Sequence, residues 1–249
     1  MIELKNISKV YNKGKPNEVT ALRQIDLNIK AKDFVTIVGS NGSGKSTLLN
    51  IIAGSIPSST GTIRINGTDV SRLPEYKRSK WLARVFQDPL QGTAGGLNIL
   101  ENFRLAALRS SSKKLAIGLN KDFVKTVEEK VAALGLGLEN KLEQSMGSLS
   151  GGQRQALSLL MSVMADLDIL LLDEPTAALD PRSAATVLRL TDQLVQEYGI
   201  TAVMVTHNMK EAHQYGKRLL VMKEGEVFQD ISGETKKQLE LTDMYDWFA

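Results

Sequence analysis

The sequence GSNGSGKST at residues 39–47 decides the fold, because it matches the pattern GxxxxGK[ST] and lies between a strand pattern and a helix pattern. Before it, residues 34–38 form a short apolar and β-branched run, which predicts a buried strand. After it, apolar residues at 48–53 predict a helix that Gly54 caps. Glycines let the backbone approach a phosphate, and the loop N–H groups and the helix start then face the anion. We therefore predict a phosphate site, with Lys45 on the outer phosphates and Ser46 on a Mg²⁺ ion.

Composition limits the class of protein. The 249 residues suffice for one large α/β domain or two small ones, and 42% hydrophobic and 24% charged residues are typical of a globular protein. With 31 basic and 28 acidic residues, the net charge of +3 is too balanced to indicate a nucleic-acid-binding surface. The absence of cysteine excludes disulfides and thiolate metal sites. No stretch approaches 18 uninterrupted apolar residues, so any membrane role would depend on a partner.

Apolar periodicity outlines the secondary structure along the chain. It predicts strands at residues 2–10, 22–29, 63–65, 84–86, 168–172 and 200–206, and a hairpin that joins 219–222 to 227–228. It predicts helices at residues 74–82 and 183–198, and a mostly helical region at 99–164 that is broken at 110–112 and 135–137. Strands that alternate with helices indicate a parallel sheet.

We therefore predict an α/β fold with a mostly parallel central sheet, an antiparallel β subdomain and an inserted helical subdomain. The chain is expected to be a single domain over residues 1–249. Its core and β subdomain would take residues 1–87 and 165–230, and its helical subdomain residues 88–164. We expect the tail at residues 231–249 to pack on the domain, although its apolar residues could also meet a partner.

Two carboxylates follow the buried strand pattern at residues 169–172. A strand that ends in Asp173 places a carboxylate at the carboxyl edge of the sheet, where ligands of α/β proteins bind. Asp173 would hold Mg²⁺ opposite Ser46, and Glu174 would orient or deprotonate an attacking water. The alternative is a strand that simply leaves into solvent through acidic residues.

A second anion-binding helix start is predicted at the sequence LSGGQ, residues 149–153. Ser150 is a good N-cap, and the two glycines after it expose N–H groups at the start of a long helix. An ordinary capped helix would show the same pattern. The chain thus has two helix starts suited to phosphate, which lie far apart in sequence.

Together these segments resemble the ATP-binding-cassette ATPases. Residues 39–46 resemble the Walker A loop, residues 170–174 the Walker B strand, and residues 149–153 the LSGGQ signature of that family. The order and spacing of the motifs fit from about residue 2 to residue 230. The resemblance implies a P-loop NTPase fold of the ABC type that binds ATP and Mg²⁺ and hydrolyses ATP.

The resemblance also implies roles for single residues. Tyr11 resembles the aromatic residue that stacks on adenine, Gln87 the Q-loop glutamine, and His207 the switch histidine that contacts the γ-phosphate and Glu174. The implied catalytic residues are Glu174, His207 and Gln87, and the implied metal ligands are Ser46, Gln87 and Asp173. The implied nucleotide-binding residues are Tyr11, Gly39, Ser40, Asn41, Gly42, Ser43, Gly44, Lys45, Ser46, Thr47, Ser150, Gly151, Gly152, Gln153 and Asp180, the last in a D-loop that runs along the partner subunit.

The family further implies partners. Two cassettes pair head to tail, with ATP between the glycine loop of one and the signature helix of the other. A homodimer would therefore drive separate transmembrane permease subunits from the cytoplasmic face of the bacterial plasma membrane. The sequence FQDP at residues 86–89 and the GTAGG loop after it are similar to importer ATPases of the tryptophan/tyrosine uptake type. We expect import of a small solute, with an amino acid as one candidate, and an extracytoplasmic solute-binding protein as a further partner.

Other functions stay open at this point. The motor of a lipoprotein or drug exporter would share every ATP motif and would differ in the docking surface near residues 88–108. Among soluble cassette proteins, the DNA-repair type needs a longer insertion than residues 99–148, and the translation type carries two cassettes. A small-molecule P-loop kinase is disfavoured by the signature, and a GTPase by the lack of an NKxD motif.

Overall fold

The structure, a computed structural model, describes residues 1–109 and 118–247 and contains two β-sheets with helices packed around them. The strands are β1 (Ile2–Tyr11), β2 (Val19–Ile29), β3 (Phe34–Gly39), β4 (Thr60–Ile65), β5 (Thr68–Asp69), β6 (Leu82–Val85), β7 (Ile169–Asp173), β8 (Thr201–Val205), β9 (Arg218–Lys223) and β10 (Glu226–Ser232). The helices are α1 (Lys45–Ala53), α2 (Glu75–Arg78), α3 (Ile99–Ala107), α4 (Lys121–Ala132), α5 (Gly151–Ser162), α6 (Pro181–Tyr198), α7 (Met209–Gln214), α8 (Gly233–Gln238) and α9 (Leu241–Asp246).

The first sheet is antiparallel and has the strand order β2-β1-β4-β5. Strand β1 lies between its neighbours, so that Ile2 pairs with Ile29 on one side and Ile65 on the other. Ile2 and Leu4 are buried, whereas Lys5 is exposed, as expected for a sheet with one face in the core. This sheet confirms the predicted antiparallel β region.

The central sheet has the order β10-β9-β3-β8-β7-β6. Strands β9, β3, β8, β7 and β6 are parallel, and only β10 runs antiparallel. Strands β3 and β8 are buried along their whole length, which explains their mostly apolar sequences. Because Val205 pairs with both Ile37 and Asp173, the carboxyl ends of three strands meet at one edge. The mostly parallel α/β fold is confirmed.

The predicted length of the helix at residues 74–82 is wrong. It covers only Glu75–Arg78, and the strand predicted at 84–86 begins two residues earlier, at Leu82. Leu82 pairs with Ile169 on β7, and the Trp81 carbonyl accepts the N–H groups of Asp168 and Ile169. Parallel pairing with a buried strand therefore prevails over the local helix signal.

The helical region between β6 and β7 contains α3, α4 and α5, as the sequence predicts. The predicted break at residues 135–137 is confirmed, with Gly135 and Gly137 both at positive φ, whereas the break at 110–112 lies outside the described residues. Phe103 and Leu157 share one hydrophobic cluster with Leu170 of the central sheet. The exact subdomain boundaries stay a prediction.

The tail packs on the domain. Met244 of α9 is fully buried against Ala212, Leu219 and Val221, and His213 Nε2 lies 2.8 Å from the Leu239 carbonyl oxygen. Among the helices of residues 1–109 and 118–247, none is long and apolar enough to cross a membrane.

Candidate functional site

The glycine loop follows β3 and leads directly into α1. Gly44 is the N-cap of this helix at φ +101°, and a Cβ there would come within 2.6 Å of the Ala21 carbonyl oxygen. A side chain at this position is therefore excluded by both conformation and space. The Ser43 hydroxyl is buried without a hydrogen-bond partner among the described residues. A loop with close-fitting glycines, an unused buried hydroxyl and a helix start suits a bound phosphate.

Lys45 is the cation of this loop. The residue is only 5% exposed, and its Nζ donates to the carbonyl oxygens of Gly39 at 2.7 Å and Ser40 at 3.0 Å. Burial lowers the pKa of Lys45, and the carboxylates of Glu174 and Asp173 oppose that shift. The ammonium is thus close to both acidic residues and bonded only to neutral oxygens, which an anionic phosphate would replace favourably.

Asp173 ends β7 beside a cavity of about 350 Å³ that it lines together with Gln87. Its Oδ2 accepts a hydrogen bond of 2.5 Å from Arg84. Ser46 is exposed in the first turn of α1, and no hydrogen bond among the described residues joins it to Asp173. A carboxylate, a hydroxyl and an amide oxygen, completed by phosphate and water oxygens, fit the requirements of Mg²⁺.

Glu174 occupies a backbone conformation that side chains rarely adopt. Its φ is +47°, which costs about 1–3 kcal/mol, and its N–H donates to the Val205 carbonyl at 2.9 Å. Its Oε2 lies 3.2 Å from His207 Nδ1. The Glu174 side chain is 19% exposed and that of His207 59%. The structure therefore brings together the two residues to which the sequence assigned water activation and γ-phosphate contact.

Sequence reasoning missed a residue that links their loops. Glu211 of α7 accepts hydrogen bonds from Thr176 at 2.9 and 3.0 Å and from Thr206 at 2.7 Å. Thr176 follows Glu174 closely in the chain, and Thr206 precedes His207. Glu211 thus fastens the two loops to each other, and an isolated helical glutamate gave no signal of this role.

The signature segment begins α5 with a capping box. The Gln153 N–H donates to Ser150 Oγ at 3.3 Å, and the Ser150 N–H donates to Gln153 Oε1 at 3.1 Å. The predicted N-cap is therefore confirmed. Arg154 donates to the carbonyl oxygens of Met146, Gly147 and Leu149, which fixes the turn before the helix.

Gln155 is a second residue that sequence reasoning missed. Gln155 is only 1% exposed. Its Nε2 donates to the Phe86 carbonyl at 2.9 Å and to the Pro175 carbonyl at 3.0 Å. It connects the signature helix to the residue before Gln87 and to the residue after Glu174. A glutamine on an apolar helix face could have suggested a buried bridge, but not its partners.

Several predicted nucleotide ligands stay apart in the single chain. No hydrogen bond among the described residues joins the signature segment to the glycine loop. Asp180 caps α6 by accepting the N–H groups of Arg182 and Ser183. Tyr11 ends β1, with Lys9 Nζ 5.0 Å from its ring centroid. Ser40, Asn41 and Gly42 are exposed, Thr47 is half-buried, and Gly151 and Gly152 lie in the first turn of α5.

Comparison with known proteins gives consistent matches. A family model described as "ABC transporter" matches residues 22–177. A tyrosine transport ATP-binding protein of Clostridioides difficile is 42% identical over 250 residues, spanning 100% of this chain and 98% of the relative. The ABC transporter ATP-binding protein YxdL of Bacillus subtilis is 35% identical over 244 residues, spanning 95% and 89%. Among solved structures, this chain is similar to the ATP-binding cassette MJ0796, which was solved as a post-hydrolysis dimer bound to ADP and Pi. The two superpose with a TM-score of 0.80 at 31% sequence identity, over 93% of this chain and 98% of MJ0796.

Proposed function

The chain belongs to the ATP-binding-cassette family of transporter ATPases, and from this premise we propose that it drives the uptake of an aromatic amino acid, tyrosine foremost, into a bacterial cell. The observation that carries the substrate class is the 42% identity, over essentially both whole chains, to a tyrosine transport ATP-binding protein. The partners would be transmembrane permease subunits, a second copy of this chain and an extracytoplasmic solute-binding protein. The ATPase would lie on the cytoplasmic face of the plasma membrane.

The glycine loop binds the phosphates of ATP in this proposal. Lys45 exchanges its bonds to Gly39 and Ser40 for bonds to the outer phosphates, and the Ser43 hydroxyl gains a partner. Ser46, Asp173 and Gln87 would hold Mg²⁺, and of these Asp173 and Gln87 line one cavity. Bound Mg²⁺ neutralises charge on the phosphate oxygens.

Glu174 and His207 act on the attacking water. Glu174 directly follows β7 at the carboxyl edge of the sheet, and its carboxylate would accept a proton from water or orient that water toward the γ-phosphate. His207 holds the carboxylate at 3.2 Å and reaches the γ-phosphate with its other nitrogen. Glu211 keeps both loops in register, because it bonds Thr176 and Thr206 at once.

The signature helix acts on the ATP of the partner subunit. Within one chain it makes no hydrogen bond to the glycine loop among the described residues, yet its N-terminus is preorganised for an anion by the Ser150 capping box. A head-to-tail dimer would bring this helix start to the phosphates held by the other glycine loop. That the solved relative MJ0796 is a dimer with ADP and Pi supports this arrangement. Asp180 would then lie along the subunit boundary.

We assign the permease contact to a cleft of about 400 Å³ between β6 and the helices α3 and α5. Leu105, Ala106 and Met161 supply an apolar wall, and Arg84 and Arg109 supply two guanidinium groups. The cleft adjoins Gln87, so a segment of the permease seated in it would lie next to the ATP site. This position would couple the two subunits.

The proposal is tested by isolating the complex in its ATP-bound form. Tagged Glu174→Gln protein is incubated with ATP and Mg²⁺ in detergent-solubilised membranes, and its partners are identified by mass. We expect a polytopic permease together with a solute-binding lipoprotein, and reconstituted vesicles that accumulate radiolabelled tyrosine only with the parent ATPase and ATP. A permease with a large extracytoplasmic domain and no binding protein would indicate export. Soluble partners alone would overturn the transporter assignment.

A further inference from the structure

Arg84 of β6 is a buried arginine placed directly against the candidate metal carboxylate. Its Nη2 donates to Asp173 Oδ2 at 2.5 Å, and the two side chains are 9% and 15% exposed. Its Nη1 donates to Asn50 Oδ1 at 2.6 Å, in the helix that follows the glycine loop. A short, charge-assisted bond in a nearly water-free setting is a strong one. Arg84 is therefore a cation that directly neutralises Asp173.

The surroundings of Arg84 also allow it to leave Asp173. Its guanidinium lies 4.7 Å from the centroid of the Phe86 ring, and Ser55 Oγ is 3.4 Å from Nη1. Its Nε is buried without a hydrogen-bond partner among the described residues. Arg84 and Phe86 line both the cleft of about 400 Å³ and the cavity that contains Asp173. Asn50, Ser55 and the aromatic ring can thus keep the guanidinium bound while open space on either side accommodates its movement.

We propose that Arg84 is a positioning residue that withholds Asp173 from Mg²⁺ until nucleotide binds. A guanidinium and a divalent cation on the same carboxylate repel each other at short range, so Mg²⁺ has to displace Arg84 from Oδ2. The exchange keeps Asp173 from standing as an uncompensated buried charge at any stage. This inference rests on the proposed function, because it concerns the Mg²⁺ ion that accompanies ATP.

The test compares ATP affinity with and without Mg²⁺. In Arg84→Gln, Asp173 loses its counter-ion, so ATP binding in EDTA weakens because the bare carboxylate faces the phosphates. Mg²⁺ binding strengthens because Arg84 no longer competes for Asp173. The ratio of the dissociation constant in EDTA to that in Mg²⁺ is expected to rise about tenfold over the parent, the low end of the effect of a charged hydrogen bond. Fluorescent ATP analogue binding, measured in the Glu174→Gln background, provides the readout without turnover.

Arg109→Gln is the matched control. Arg109 lines the same cleft, and among the described residues its guanidinium donates to the Ser162 carbonyl at 3.2 Å and not to Asp173. In Arg109→Gln, the ratio of the dissociation constant in EDTA to that in Mg²⁺ should equal that of the parent. If Arg84→Gln fails to fold, Arg84→Met, which keeps the packing on Phe86, should give the same rise.

Two results would overturn the proposal. An unchanged ratio would mean that Arg84 does not compete with the metal, and a lower ratio would mean that it supports metal binding. A defect that weakened both affinities equally would also leave the ratio unchanged and would indicate a purely structural role. If the parent chain bound no ATP in either condition, the proposed function itself would fail. If the parent bound ATP but the ratio did not rise in Arg84→Gln, only the inference about Arg84 would fail.

Discussion

Replacement of Gly152 by alanine should loosen the packing of the signature helix on α6. A Cβ at Gly152 would lie 2.5 Å from Ser183 Oγ and 2.6 Å from Ser183 Cβ. The hydroxyl can rotate away, but the Cβ can move only with the backbone of α6, so the two helices must shift apart. Such overpacking costs about 1–3 kcal/mol, and the better helix propensity of alanine returns at most about 1 kcal/mol.

We expect Gly152→Ala to lower the free energy of unfolding by about 1–2 kcal/mol, and the melting temperature by roughly 2–8 °C for a chain of this size. Urea and thermal unfolding, followed by circular dichroism without nucleotide, measure this loss independently of ATP contacts. Ser183→Gly should rescue the variant, because it removes the atoms that clash while its N–H still bonds Asp180. Ser183→Ala, which keeps the Cβ, should rescue it only in part.

A double-mutant cycle tests whether Gly152→Ala destabilises the protein through contact with Ser183. If the clash is real, Gly152→Ala and Ser183→Gly are non-additive by about 1–2 kcal/mol in the stabilising direction. Additive effects, or a Gly152→Ala variant as stable as the parent, would refute the proposed close approach of α5 and α6.

Three further outcomes follow from the site and from the tail. Glu174→Gln should bind ATP like the parent and release phosphate at least about a hundredfold more slowly, since only the proton acceptor is lost; turnover at the parent rate would exclude this role. Lys45→Ala should weaken ATP binding about tenfold or more, as judged by equilibrium titration, and an unchanged affinity would contradict the phosphate cradle. Burial lowers the pKa of Lys236 to about 8, below its value in the unfolded chain. Between pH 8 and 10 the unfolded state therefore holds a proton that the folded state lacks. The free energy of unfolding should then rise with pH in the parent relative to Lys236→Met, by at most about 1.4 kcal/mol per pH unit. If the free energy of unfolding changed equally with pH in both proteins, the lowered pKa of Lys236 would be contradicted.

Local signals sufficed for much of the site. The glycine loop, its preceding strand and the helix capped by Gly54 are encoded by neighbours in sequence, because strand burial, positive φ and helix capping are short-range effects. The same holds for the Ser150 capping box, whose two bonds span three residues. Where a long-range pairing competed with a local signal, as at residues 79–82, the sequence interpretation was wrong.

The sequence by itself determined which groups are available at the carboxyl edge of the sheet: a lysine and hydroxyls on a glycine loop, two carboxylates at the end of β7, and a histidine after β8. Only the tertiary structure decided which residues bind and position these groups. Glu211 joins the segments after β7 and β8, Gln155 joins those after β6 and β7, and Arg84 reaches Asp173 across 89 positions of chain. Such partners depend on strand order and register, which bring β6, β7 and β8 side by side, and no periodicity within one segment carries that information.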